Sequence, residues 1–298
     1  MSQNIKGALR VLLSEIVDYA GLFPPAQLSM RAAVENFNQY LNGEFAWMLG
    51  RFIVPANRLN EFVECAEDFW NGGNKTWRVS LLAKDDLRAA ASLIENFNRK
   101  FNGKAVIDAL ETVAADAAQI KQAKQFLPES VTAYFELPLA PQLPEQISAL
   151  AVNKLRAKVR TGGVAPEAFP PIDELVKFLR VCLAANVPFK ATAGLHHPLR
   201  TNKPLTYDKD APTGTMHGFL NLFLATAFMR QDLNGNLAHK IMAETDARNF
   251  KFDDDAAQWN GNSIDLQQLQ LTRARNIVSF GSCSFVEPVE DLKEIGLL

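Results

Sequence analysis

The chain predicts an α/β fold: a (β/α)8 barrel of the TIM type with a long insertion before the last strand. Three observations carry this. Short apolar runs alternate with longer helical patterns along the 298 residues, as parallel strands joined by right-handed crossovers do. Eight such runs can be marked, the number that closes a barrel. In four of them apolar side chains alternate with charged or hydroxylic ones, as in strands whose outer side meets helices and whose inner side meets the barrel axis. A doubly wound open sheet is the alternative. No linker, internal repeat or low-complexity segment interrupts the pattern, so residues 1–298 read as one domain.

Strand 16–22 places the carboxylate of Asp18 near the predicted mouth, and Ser29 caps helix 29–42. Strand 46–54 carries Arg51 and leads to helix 57–70, with Asn57 at the cap. Strand 77–82 precedes helix 85–101, capped by Asp85; strand 104–110 precedes helix 112–125. Strand 131–137 runs through a short Pro-rich turn, 138–144, into helix 143–152; strand 155–160 feeds helix 171–186. Strand 188–193 is followed by helix 215–231, whose stretch 216–228 is apolar nearly all round and should be buried. Segment 232–275 lengthens the last connection. It holds a helix at 236–247, the acidic run Asp253–Asp255 and a helix from about Ser263. We read it as an inserted capping segment, over the barrel mouth or over the apolar helix. Strand 276–282 closes the sheet.

Apolar content of 48% suffices for a large core, and a net charge of −2 argues against a nucleic-acid binder. The scattered Cys65, Cys182 and Cys283 fit a reduced, cytoplasmic protein. The opening Met-Ser-Gln-Asn-Ile-Lys-Gly has no signal-peptide pattern, and the longest apolar run, 218–228, is broken by Asn221. It is shorter than the roughly 20 residues a membrane span needs, so a soluble protein, of the kind met in bacteria, is expected. The apolar helix 216–228 is also where a homo-oligomer contact would be sought.

Strand alternation sorts the polar residues. Val131, Ala133, Phe135 and Leu137 face outward, leaving Thr132, Tyr134 and Glu136 inside. Ala157 and Val159 leave Lys158 and Arg160 inside; Phe189, Ala191 and Ala193 leave Lys190 and Thr192; Trp77, Val79 and Leu81 leave Arg78 and Ser80. Buried charges must be paired or lie at a wet mouth. Glu136, Lys158, Arg160 and Lys190 thus share one neighbourhood, as an ion-pair network or as a site for a small anion. Three cations against one carboxylate favour the anion. Two neighbouring lysines depress each other's pKa, as does burial, and a neutral lysine can attack a carbonyl.

Lys190-Ala-Thr-Ala-Gly-Leu resembles the segment around the Schiff-base lysine of the deoxyribose-phosphate aldolases, a Lys-Thr-Ser-Thr-Gly pattern. Lys158-Val-Arg-Thr-Gly-Gly is similar to that family's second lysine motif. The resemblance implies a class I aldolase-type barrel in which Lys190 is the nucleophile and Lys158 its pKa-lowering neighbour.

Three of the four histidines fall within 22 residues, 196–217. If the strand's alternation continues, Lys190, Thr192, Gly194 and His196 share a face and His197 points away. His217 follows Thr215, a plausible N-cap, and the first turn of a helix would keep it neutral. His196 and His217 with Glu136 or Asp108 would supply a two-His, one-carboxylate divalent-metal set. His239 reads as surface or packing. Thr161-Gly162-Gly163 and Gly281-Ser282-Cys283-Ser284 are small-residue loops able to cradle an anion, or simple turns.

These readings converge on an enzyme acting on a small anionic carbonyl compound, of aldolase-type lyase character. Lys190 would be nucleophile, with Lys158 and Arg160 binding the anion or tuning Lys190, and Glu136 or His196 moving protons. Thr192, Arg51, Asp18, Thr161, Gly162, Gly163, Ser282, His217 and Arg200 would contact substrate. No cofactor is required. The alternatives are a metal-dependent hydrolase or isomerase and a non-catalytic small-molecule binding barrel.

Overall fold

The computed structural model describes residues 5–70 and 75–298. Residues 1–4, on which part of the reading of the N-terminus rests, lie outside the described residues.

The first half of the chain is a run of strand–helix units. Helix α1 (Gly7–Leu13) precedes β1 (Val17–Tyr19) and α2 (Met30–Leu41); β2 (Leu49–Pro55) precedes α3 (Leu59–Trp70). Then come β3 (Trp77–Leu82), α4 (Leu87–Lys100), β4 (Ala105–Val113), α5 (Ala117–Lys124), β5 (Thr132–Glu136) and α6 (Leu143–Val152). The second half has β6 (Arg156–Arg160), α7 (Ile172–Ala184) and β7 (Phe189–Thr192), followed by the hairpin β8 (Thr201–Pro204) and β9 (Thr213–Met216). Helices α8 (Phe219–Gln231) and α9 (Asn236–Ala243) lead to the small sheet β10 (Phe250–Phe252), β11 (Ala256–Trp259) and β12 (Asn262–Asp265). Helix α10 (Leu266–Arg275), β13 (Ile277–Ser282) and α11 (Val286–Glu294) end the chain.

Strands β1 to β7 and β13 form a closed, all-parallel barrel in the order β1-β13-β7-β6-β5-β4-β3-β2. This is the (β/α)8 architecture, and all eight strands fall where the alternation placed them. Outward side chains such as Trp77, Val79, Phe135, Val159 and Phe189 join the inner faces of the helices in one continuous core, each at most 2% exposed. Burial of this apolar area, at about 25 cal/mol per Å², is the main force that wraps the helices round the sheet. Ser29 caps α2 by accepting from the Ala32 amide. Asp86, rather than Asp85, caps α4 through Ala89, and α3 starts two residues after Asn57.

One irregularity in β4 shapes the interior. The β3–β4 register passes from Val79↔Ile107 to Ser80↔Ala109, so Asp108 is an extra residue on β4. This bulge lets Asp108 and Glu111, three positions apart, both reach inward partners. It also carries the strand to Val113, so the helix expected at 112–125 begins only at Ala117.

Helix α8 is buried from Phe219 to Met229, packed by α7, α9 and α10 of the same chain. The apolar surface that suggested a subunit contact is therefore consumed internally. The inserted segment does the covering: α9 lies on α8, and Asn221 of α8 donates to the carbonyls of Ile241 and Glu244. The β10–β12 sheet packs against α1 and α10. The segment thus clothes the outer layer and does not roof the mouth. No helix among the described residues is long and apolar enough to cross a membrane.

Candidate active site

Inside the barrel, charges alternate along a connected chain. Asp18 Oδ2 accepts from Ser279 Oγ at 2.7 Å and from Lys190 Nζ. Lys190 also donates to Glu111 Oε1 at 2.7 Å, which accepts from Ser80 Oγ as well. Glu111 Oε2 meets Lys158 Nζ at 2.8 Å, Lys158 reaches Glu136 at 3.0 Å, and Glu136 pairs with Arg160 at 3.1 Å. The chain rises from depth to rim: the Asp18 and Lys190 side chains are 1% exposed, that of Arg160 55%. Gly50 is needed here, since a Cβ at that position would stand 2.4 Å from Asp18 Oδ1. The Arg51 amide also donates to that oxygen.

This arrangement corrects the expected excess of positive charge. Three carboxylates, Asp18, Glu111 and Glu136, face three cations, Lys190, Lys158 and Arg160. Asp18 lies inside the barrel rather than at its mouth. A neutral lysine is also not what this geometry makes. Burial works to lower the Lys190 pKa, but the carboxylates of Asp18 and Glu111 outweigh it and hold the ammonium well above its ordinary value. In the same way, burial opposes ionisation of Glu111, yet Lys158 and Lys190 keep its carboxyl far below the usual range. Glu111 was missed because strand 104–110 was ended one residue short of it. Only the bulge at Asp108 turns it inward, and nothing in the apolar pattern marks the bulge.

The histidines do not gather round this chain. β7 ends at Thr192, and Ala193 and Gly194 take left-handed conformations, with φ of +63° and +72°. The alternation that would have aligned His196 with Lys190 stops there. Both His196 and His197 instead turn to α11. His196 Nδ1 lies 2.9 Å from Glu287 Oε2, and His197 Nδ1 is 2.5 Å from Asp291 Oδ2. A carboxylate only accepts, so each Nδ1 carries the hydrogen, and in the neutral ring Nε2 is the basic atom. The two rings line a cavity of about 400 Å³ at the carboxyl-terminal face, together with Lys203, Tyr207 and Pro25. The Tyr207 hydroxyl lies 3.9 Å from Cys283 Sγ and bonds to Glu287. Burial lowers the His197 pKa despite Asp291, and pushes the Cys283 thiol up to about 11, so that sulfur is not an activated thiolate.

His217 sits elsewhere. It follows β9 and precedes α8, whose cap is Gly218 rather than Thr215. Its Nε2–H donates to the Pro170 carbonyl at 2.8 Å, and Nδ1 accepts from Arg200 Nη1 at 3.3 Å. It is held neutral, as expected, but by burial and then by Arg200, not by a helix terminus. His239 bonds Asp173 and the Gly235 carbonyl on the outer layer. Asp108 is taken by Arg51 and Arg78. The proposed metal set of His196, His217 and Glu136 or Asp108 is therefore dispersed. Among the described residues no group of three or more His, Cys, Asp or Glu side chains could hold a metal ion.

The small-residue loops serve packing. Thr161 Oγ1 donates to the Ala193 carbonyl at 2.6 Å. Phe169 fills the space over Gly162 and Gly194, where a Cβ would lie 2.3 Å and 2.6 Å from its ring. Gly163 would clash with the Ala168 methyl, at 2.8 Å. Ser282 accepts from the Ser284 amide, and its carbonyl takes the Ala20 amide. Thr192 lies beside Gly281 at the barrel rim. Arg51 is an ion-pair partner near the amino end of the barrel, on both oxygens of Asp108.

Sequence reasoning missed Glu287, Asp291, Lys203 and Tyr207. The hairpin and α11 that present them carry no apolar period long enough to mark them. Comparison with protein-family models, with curated proteins and with solved structures gives no match to this chain.

Proposed function

We propose that the protein is an enzyme that acts on a small anionic carbonyl compound at the carboxyl-terminal face of the barrel, with His196 moving the proton. The observation that supports this is the His196–Glu287 pair on the wall of a 400 Å³ cavity. A carboxylate that fixes the tautomer of an imidazole leaves Nε2 as a general base. Lys203, on the same wall, is paired with Asp291 at 3.8 Å and would turn from it to meet an anionic substrate, and the Tyr207 hydroxyl is a second proton-bearing group. His197–Asp291 repeats the arrangement next to it. The carboxyl-terminal face is also where barrel enzymes place their chemistry. Three free cysteines support a reducing, cytoplasmic setting.

The test is deuterium incorporation from D2O next to the carbonyl of a panel of 2-oxo acids and sugar phosphates, followed by NMR. The wild-type protein exchanges at least one compound, and His196→Gln slows that exchange by about 10²- to 10⁴-fold. Equal rates in the two proteins reject His196 as the base. No exchange or turnover with any compound points to the non-catalytic binding barrel.

A Schiff-base lyase centred on Lys190 is the second reading. It is favoured by one observation: Lys158 and Lys190 are register partners that share Glu111. It requires the Lys190 ammonium to lose a proton and become uncovered. Borohydride reduction in the presence of small aldehydes and ketones, read by mass spectrometry, decides it, because an adduct on Lys190 is its necessary product.

A further inference from the structure

The barrel carries a second polar chamber at the opposite end. Between the amino ends of β2, β3, β5, β6 and β13 lies a cavity of about 340 Å³ lined by Arg51, Arg78, Arg156 and Arg273. Two carboxylates face these four guanidinium groups. Asp108 takes Arg51 through both oxygens and also Arg78, and Glu15 takes Arg78. Arg156 has the Tyr134 hydroxyl at 3.1 Å, with its guanidinium 5.6 Å from that ring. Arg273 gives its terminal nitrogens to the carbonyls of Ser14, Ile277 and Val278. Its Nε is buried and has no hydrogen-bond partner. Burial presses the Arg273 group down to about 10 despite the pull of Asp18 and Glu15, the behaviour of a cation short of counter-charge.

We propose that this cavity binds a small oxyanion bearing two negative charges, a free phosphate or the phosphate group of a small ester, held by Arg156, Arg78 and Arg273. With Asp18 neutralised by Lys190, the chamber has two more positive than negative groups, the charge of one such dianion. The Arg156 fork, engaged among the described residues by the Tyr134 hydroxyl alone, can match two phosphate oxygens, while Arg78 and Arg273, whose other donors go to Asp108, Glu15 and backbone carbonyls, add their remaining N–H groups. The open side is wet, since the side chains of Glu15 and Arg78 are 58% and 34% exposed, so an ion can enter. Tyr134 stands between this chamber and Lys190, which lies 5.4 Å over its ring. The site is thus separate from the carboxyl-terminal cavity, and the inference does not rest on the activity proposed there.

Calorimetric titration of the full chain with inorganic phosphate and, separately, with glycerol phosphate tests the site, with sodium chloride held at matched ionic strength. Saturable binding of one ion per chain is expected. Arg156→Gln should weaken it by at least about tenfold, while His196→Gln at the other end leaves it unchanged. Thr132→Asp, which sets a carboxylate on the chamber wall, should abolish it; this variant guards against a folding defect in Arg156→Gln. Tighter binding of inorganic phosphate than of the ester assigns the site to free phosphate, and the reverse assigns it to the ester. The proposal fails if neither compound binds, or if binding survives both Arg156→Gln and Thr132→Asp.

Discussion

Glu111 is the residue on which the interior depends. It is 1% exposed and joins two lysines that would otherwise face each other. Removing one partner of a buried ion pair costs about 3–5 kcal/mol, because the charge left behind has no water. Glu111→Gln keeps the shape and removes the charge, so it should destabilise the fold by that amount at pH 7 in a denaturant titration. The pH dependence follows with a definite sign. The folded carboxyl titrates below its ordinary value of 4.5. Its contribution is therefore present above that value and lost as pH falls below it. The gap between wild type and Glu111→Gln should begin to narrow below about pH 4.5 and go on narrowing as pH falls toward the much lower folded value. A gap that stays constant over that range would show that the charge is not what stabilises.

At the scale of elements, α8 and β4 behave oppositely. Helix α8 announced itself: a helix apolar on every side has to be interior, and it is. Phe223, fully buried and edge-on to Phe280, also lies 5.0 Å beneath the Arg273 guanidinium. Phe223→Ala should cost about 3–5 kcal/mol, measured as a shift in the unfolding midpoint at unchanged slope. A loss below about 1 kcal/mol would mean that α9 and α10 collapse into the gap. β4 was legible only in part. Its outward residues, Ile107 and Leu110, are spaced by three instead of two, which breaks the period by which a strand is read. The break carries two interior carboxylates. The same limit applies after β7, where two left-handed residues redirect the histidines to a helix that no periodicity had marked.

For the whole molecule, barrel closure was readable because it follows from repetition: eight apolar runs alternating with helical patterns, four of them with one apolar side. The inward direction of Glu136, Lys158 and Lys190 followed from the same alternation. Their partners did not, because pairing across a closed sheet depends on register, and register leaves no trace in composition. The alternation of three acids with three bases along the axis also acts as a stopper. A solute ion entering the bore would have to evict a member of the sequence and leave a lone charge in a dry place. The middle of the tube thereby resists solute ions, and a small molecule that reached Lys190 would first have to break this alternation.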